Sequence, residues 1–123
     1  MACSIHSAMK KFTLCSLGLG LSIFFTAPAI AFKDGVRALN TARMKAESIN
    51  GGLSVYRAEK CMYFTSKKGG KCLKSQDGGF TFLFLGGEPG WQELGVSPTV
   101  ETEIRVSADG QSEIEVIYNA SPR

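Results

Sequence analysis

Phe80-Thr81-Phe82-Leu83-Phe84-Leu85 is the stretch that decides the fold. Its phenylalanines alternate to one side, and Leu83 and Leu85 fall on the other. An alternating run of this length is a β-strand. Being apolar on both faces, it belongs in the middle of a sheet or under cover on both sides.

Toward the C terminus a Gly- and Pro-rich loop, 86–98, leads into two more alternating segments. Val100, Thr102, Ile104 and Val106 alternate with Glu101, Glu103 and Arg105. Ile114, Val116 and Tyr118 alternate with Glu113, Glu115 and Ile117. A two-residue Asp109-Gly110 turn would set Val106 opposite Glu113 and mix the faces. A three-residue loop, Ala108-Asp109-Gly110, sets Ile104 opposite Ile114, Arg105 opposite Glu113 and Glu103 opposite Glu115. It also puts Gly110 where a positive φ is needed. That is the predicted register.

Toward the N terminus, Cys61–Thr65 and Lys71–Ser75 read as a hairpin turning at 66–70, and Leu53–Arg57 as a first strand. Before them the period changes. Val36, Leu39, Ala42, Ala46 and Ile49 form one helical stripe over 34–50, with Asp34 as its cap and Asn50-Gly51-Gly52 as its stop. Arg43 falls inside the stripe. Either its stem lies on the core edge with the head in water, or it pairs with a buried carboxylate from the second half. One helix on an antiparallel sheet of four or five strands is an α+β domain.

The first 31 residues read differently. Lys10-Lys11, an apolar run from Phe12 to Phe25 and Ala29-Ile30-Ala31 have the layout of a secretory signal peptide. The run is shorter than the roughly twenty residues of a membrane span, although retention as an N-terminal anchor is the alternative. Met9 is a second candidate start. Cleavage after Ala31 leaves residues 32–123 as a single small domain in the periplasm or outside the cell, with no later segment apolar enough to span a membrane. It also removes His6, Cys3 and Cys15.

Cys61 and Cys72 remain, an even pair in an oxidising compartment, and read as a structural disulfide. The mature chain then lacks histidine and free thiolate. That excludes Ser-His-Asp and Cys-His catalysis and the usual zinc sets of four Cys or His ligands, or His with a carboxylate. The glycine pairs lie in hairpin turns, so no phosphate-binding loop is present and no cofactor is expected.

Charge is divided. Residues 32–74 hold ten basic and three acidic groups; residues 75–123 hold two basic and eight acidic. The simplest reading is two halves that attract each other when folded.

Three surface features could carry function. Lys67, Lys68, Lys71 and Lys74 cluster on the predicted hairpin and suit an acidic partner or headgroups; export disfavours nucleic acid. Pro89-Gly90-Trp91 puts the single tryptophan in a loop, as a binding anchor or as a plug on one end of the sheet. Glu101, Glu103 and Glu115 form a carboxylate ladder for acid–base work or a cation.

Gly51-Gly52-Leu53-Ser54-Val55-Tyr56-Arg57, followed by Phe80-x-Phe82-x-Phe84 and Gly86-Gly87-x-Pro89-Gly90-Trp91, resembles small secreted proteins of cyanobacteria. That resemblance implies an envelope location and brings no catalytic residue. The helix-then-meander order also resembles the cystatin arrangement, whose loops wedge into protease clefts. The Gln-x-Val-x-Gly hairpin of that family has no counterpart: Gln92-Glu93-Leu94-Gly95 does not match it. The expected function is an exported, non-catalytic binding domain whose partner is a protein or envelope component. The alternatives are a carboxylate-based hydrolase or cation binder, and a loop-mediated protease inhibitor.

Overall fold

The structure, a computed structural model, describes residues 27–64 and 70–123, with side chains in the first helix from Lys33 onward. Most of the predicted signal segment, and Lys67 and Lys68 with the predicted turn up to residue 69, lie outside the described residues.

Helix α1, Ala27–Ile49, begins earlier than the predicted 34. Ala29-Ile30-Ala31-Phe32-Lys33 contains nothing that stops a helix. Asp34 is therefore not a cap; it sits inside the helix and reaches Arg37 at 3.8 Å. The helix stops before Asn50-Gly51-Gly52, as read. The chain then turns: the N–H groups of Val55 and Tyr56 both donate to Gly52 O, at 3.2 and 3.0 Å. That tight turn replaces the predicted strand at 53–57 and leaves Leu53 and Val55 exposed. Only Arg57–Ala58 is a strand, β1.

Lys60–Tyr63 is a 3-10 turn, not half of a hairpin. β2 is Leu73–Ser75 and β3 is Gly79–Gly87. A one-turn helix, α2, covers Trp91–Leu94. β4 is Val100–Ser107 and β5 is Ile114–Ala120. The antiparallel sheet runs β1-β3-β4-β5, with β2 also paired to β3. The Phe80–Leu85 stretch is therefore central, as its two apolar faces require.

Phe82, Phe84, Ile104 and Val106 meet Leu39, Ala38, Ala42 and Ala46 of α1 in the core, with Phe80 packed at its edge. The alanines bring the helix close to the sheet. Each large side chain so buried contributes about 1.5–3 kcal/mol. At Gly86 the Tyr56 ring fills the place of a side chain: a Cβ there would clash with it. Arg43 follows neither expectation. Its Nε lies 3.3 Å from Glu47 of the same helix, and its guanidinium sits 4.8 Å from the Tyr63 ring centre.

β4 and β5 pair two residues away from the predicted register. Val106 faces Ile114, Arg105 faces Glu115 and Ile104 faces Val116; a bulge follows, after which Glu103 faces Tyr118. The cause is Asp109. Its Oδ1 accepts from the N–H groups of Gln111 and Ser112 at 3.0 and 2.9 Å and from the Ser107 hydroxyl at 2.7 Å. These bonds hold a longer loop than three residues. They also keep the Asp109 carboxyl well below the usual carboxylate range, with the Ser112 hydroxyl as the first cause. Gly110 takes the positive φ read for it, +82°.

Candidate functional site

Glu101 and Glu103 lie on the outer face of β4, but the expected ladder does not form. Glu115 faces Arg105 across the strands, and Tyr118 stands opposite Glu103. The two remaining carboxylates are already neutralised. Lys74 Nζ donates to Glu103 at 2.7 Å. The Arg123 guanidinium bridges Glu101 at 3.1 Å and Glu103 at 3.2 Å, and stacks 3.8 Å from the Tyr118 ring centre. Both carboxylates are thus held by cationic side chains of this chain.

Both carboxyls sit below the usual glutamate range. For Glu101 the first cause is the Arg123 backbone N–H, which donates to it at 2.7 Å; for Glu103 it is the hydrogen bond from Lys74. A carboxyl with a lower pKa folded than unfolded adds stability that is complete above its unfolded value. That stability is lost as pH falls through the folded value. The melting midpoint is therefore expected to fall as pH drops below about 5. Glu103→Gln should flatten this acid limb in a thermal melt series. An unchanged limb would mean that other groups carry it.

The 88–96 loop resolves the two readings of Trp91. The side chain is 7% exposed and its indole N–H donates to Arg57 O at 3.0 Å. It packs on the backbone of Gly87 and beside Pro98. Trp91 is the plug on the β1 end of the sheet, while Pro89 stays outside. What it builds is a floor. Between this loop and the 3-10 turn runs a groove of about 420 Å³, walled by Arg57, Lys60, Tyr63, Phe64, Trp91 and Gln92.

The groove has an aromatic wall and a rim that carries Arg57 and the Lys60–Glu93 pair. Phe64 is 60% exposed and Tyr63 43%. The 3-10 turn buries the adjacent pair Cys61 and Met62, which leaves the next two side chains facing water. Read as a strand, the segment would have alternated, and Tyr63 would have gone inward. Their only trace in the sequence is an aromatic pair beside a lysine cluster. Tyr63 donates to Glu47 at 3.0 Å; burial, and then that bond, push its phenol up. Lys60 pairs with Glu93 at 2.9 Å, which holds the Glu93 carboxyl low. Arg57 Nε donates to Leu53 O at 3.2 Å, and its guanidinium has no carboxylate partner among the described residues. The Lys60 N–H donates to Gln92 Oε1 at 2.7 Å, which fixes the two walls relative to each other.

The predicted lysine cluster divides. Lys74 is committed to Glu103, and Lys71 stands exposed beside the disulfide. Cys61 and Cys72 form that disulfide, with Cα atoms 5.7 Å apart. It joins the 3-10 turn to the residue before β2, not two facing hairpin strands. Among the described residues no helix is long and apolar enough to cross a membrane. Comparison with models of protein families, with curated proteins and with solved structures gave no match.

Proposed function

We propose that the protein is an exported domain of the periplasm or cell envelope that acts by binding, without catalysis. The ligand-contacting surface is the groove between the 3-10 turn and the Trp91 loop. The observation that carries this reading is the pair Tyr63 and Phe64, held out to water on a turn that a disulfide anchors. Ordered aromatic side chains beside a concave wall are what a binding surface spends its few strong contacts on. The Arg57 guanidinium, which has no carboxylate partner among the described residues, favours a partner that offers acceptors or negative charge. Export rests on the signal layout of residues 1–31 and on the resemblance to secreted cyanobacterial proteins. The disulfide fits an oxidising compartment.

Cross-linked capture from the native envelope and periplasm, with wild type and Phe64→Ser side by side, tests it. One recurrent partner is expected with wild type and a loss of at least tenfold with the variant, at an unchanged melting midpoint. The intact mass of the native protein is expected to begin at Phe32. Equal capture by the variant would remove the groove from the binding surface. A chain that keeps residues 1–31 would remove cleavage and release.

A further inference from the structure

Glu59 is a half-buried carboxylate with an unfinished set of partners. It sits on the link between β1 and the 3-10 turn and grips β3 twice. Its N–H donates to Leu85 O at 2.8 Å, and its Oε1 accepts the Leu85 N–H at 3.0 Å. Its other oxygen has neither a donor nor a cation among the described residues. Beside it stand both sulfurs of the disulfide. A carboxylate oxygen of Glu59, Cys61 Sγ and Cys72 Sγ all lie within 4.8 Å of one another.

The three side chains share one wall of an open cavity of about 320 Å³, with Lys71 at its rim and Leu83 and Leu85 among its apolar lining. Two thiolates on a tetrahedral zinc ion, at about 2.3 Å each, lie roughly 3.8 Å apart. A carboxylate oxygen on the same ion lies about 3.5 Å from each sulfur. The observed cluster spans up to 4.8 Å and reaches that geometry once reduction lets the sulfurs separate and the carboxylate close in, and the backbone bond from Leu85 orients the carboxylate as an outer-shell partner does. The cavity has room for a water as fourth ligand. Charge also closes. Two thiolates and a carboxylate around Zn²⁺ carry one net negative charge. Lys71, with no carboxylate partner among the described residues, supplies one positive.

We propose that Glu59, Cys61 and Cys72 form a redox-gated site for a thiophilic divalent cation, with Zn²⁺ as the fitting ion. In the oxidised protein the sulfurs are bonded to each other and the site is closed. A dithiol reductant transfers two electrons and two protons to the sulfur pair by exchange and is itself closed to a disulfide. Zn²⁺ then takes the two thiolates and Glu59, and the two thiol protons leave to solvent. Disulfide and metal exclude each other, so oxidation of the pair expels the ion. This inference does not depend on the groove.

The test uses the full domain, oxidised or reduced with a phosphine, titrated with Co²⁺ as an optical probe and with Zn²⁺ against a chromophoric chelator. The reduced wild type is expected to take one equivalent and to show a sulfur-to-cobalt charge-transfer band; the oxidised protein is expected to take none. Glu59→Gln keeps an acceptor for the Leu85 N–H and loses the charge, so it should bind Zn²⁺ at least tenfold more weakly. Thermal melts followed by circular dichroism provide a second readout. Zn²⁺ should raise the midpoint of the reduced wild type, or restore its native spectrum if reduction unfolds it, and should do neither for reduced Glu59→Gln. Absence of stoichiometric binding by the reduced protein would overturn the proposal, as would equal affinity in the variant.

Discussion

Trp91→Ala should lower the stability of the domain by about 3–5 kcal/mol, the cost of deleting a buried aromatic side chain. In a domain of this size that moves the melting midpoint down by about 15 °C or more. Two losses combine. A cavity opens between Gly87, Pro98 and the β1 end of the sheet, where the ring now packs. Arg57 O also loses the indole N–H that reaches it at 3.0 Å, and a carbonyl left without its donor costs a further share. Trp91→Phe separates the two, because it keeps most of the fill and removes only the hydrogen bond. It should cost about 1–2 kcal/mol. Urea unfolding of the three proteins is the measurement. A midpoint that hardly moves in Trp91→Ala would return the residue to the surface and make it an anchor after all.

That outcome turns on a distinction that the sequence left open, and the reason is general to this chain. The core was legible where side chains repeat with a regular period in the helix and the two central strands; the same alternation in the edge strand β5 did not mean burial, since Ile114 and Val116 stay exposed. The alternation from Phe80 to Leu85, the stripe through Leu39, Ala42 and Ala46, and the inward set Thr102, Ile104 and Val106 each name their own buried face. Features set by a single side chain bonding to the backbone were not legible. Asp109 lengthens a turn and moves the β4–β5 register by two residues, which separates Glu103 from Glu115, and the bulge between Ile104 and Glu103 then turns Tyr118 to the Glu103 face. The 3-10 turn at Lys60–Tyr63 breaks an alternation that looked like a strand, so Tyr63 and Phe64 become an outward pair. Arg123 reaches back to Glu101 and Glu103 from twenty or more residues away, a contact without any local signal. The carboxylates were therefore visible as residues, and their neutralisation was not. Glu59 was invisible as a candidate because its meaning depends on two sulfurs that the fold brings to it.

Replacing Cys61 and Cys72 together by serine should cost about 3 kcal/mol in the chain-entropy account of a loop this short. Against a total of roughly 5–15 kcal/mol that is a large share. The loss should also be spatially selective. β2 spans only Leu73–Ser75. The N–H of Leu83 donates to Cys72 O at 2.9 Å, so the bridge helps to hold the 3-10 turn on β3. Without it, amide hydrogen exchange should rise first in the 3-10 turn and β2, while Phe82, Phe84 and Ile104 on β3 and β4 keep their protection. Partner capture should fall with the turn, since Tyr63 and Phe64 are carried on it. The double variant and the reduced wild type should match in metal-free solution, because each simply lacks the cross-link. They should part when Zn²⁺ is added: the reduced wild type regains stability through its two thiolates and Glu59, and the double variant gains nothing. A cost below about 1 kcal/mol would mean that the buried contacts of Met62 and its neighbours hold the segment without a cross-link. Recovery of both proteins with zinc would mean that the ion acts somewhere other than on the sulfurs.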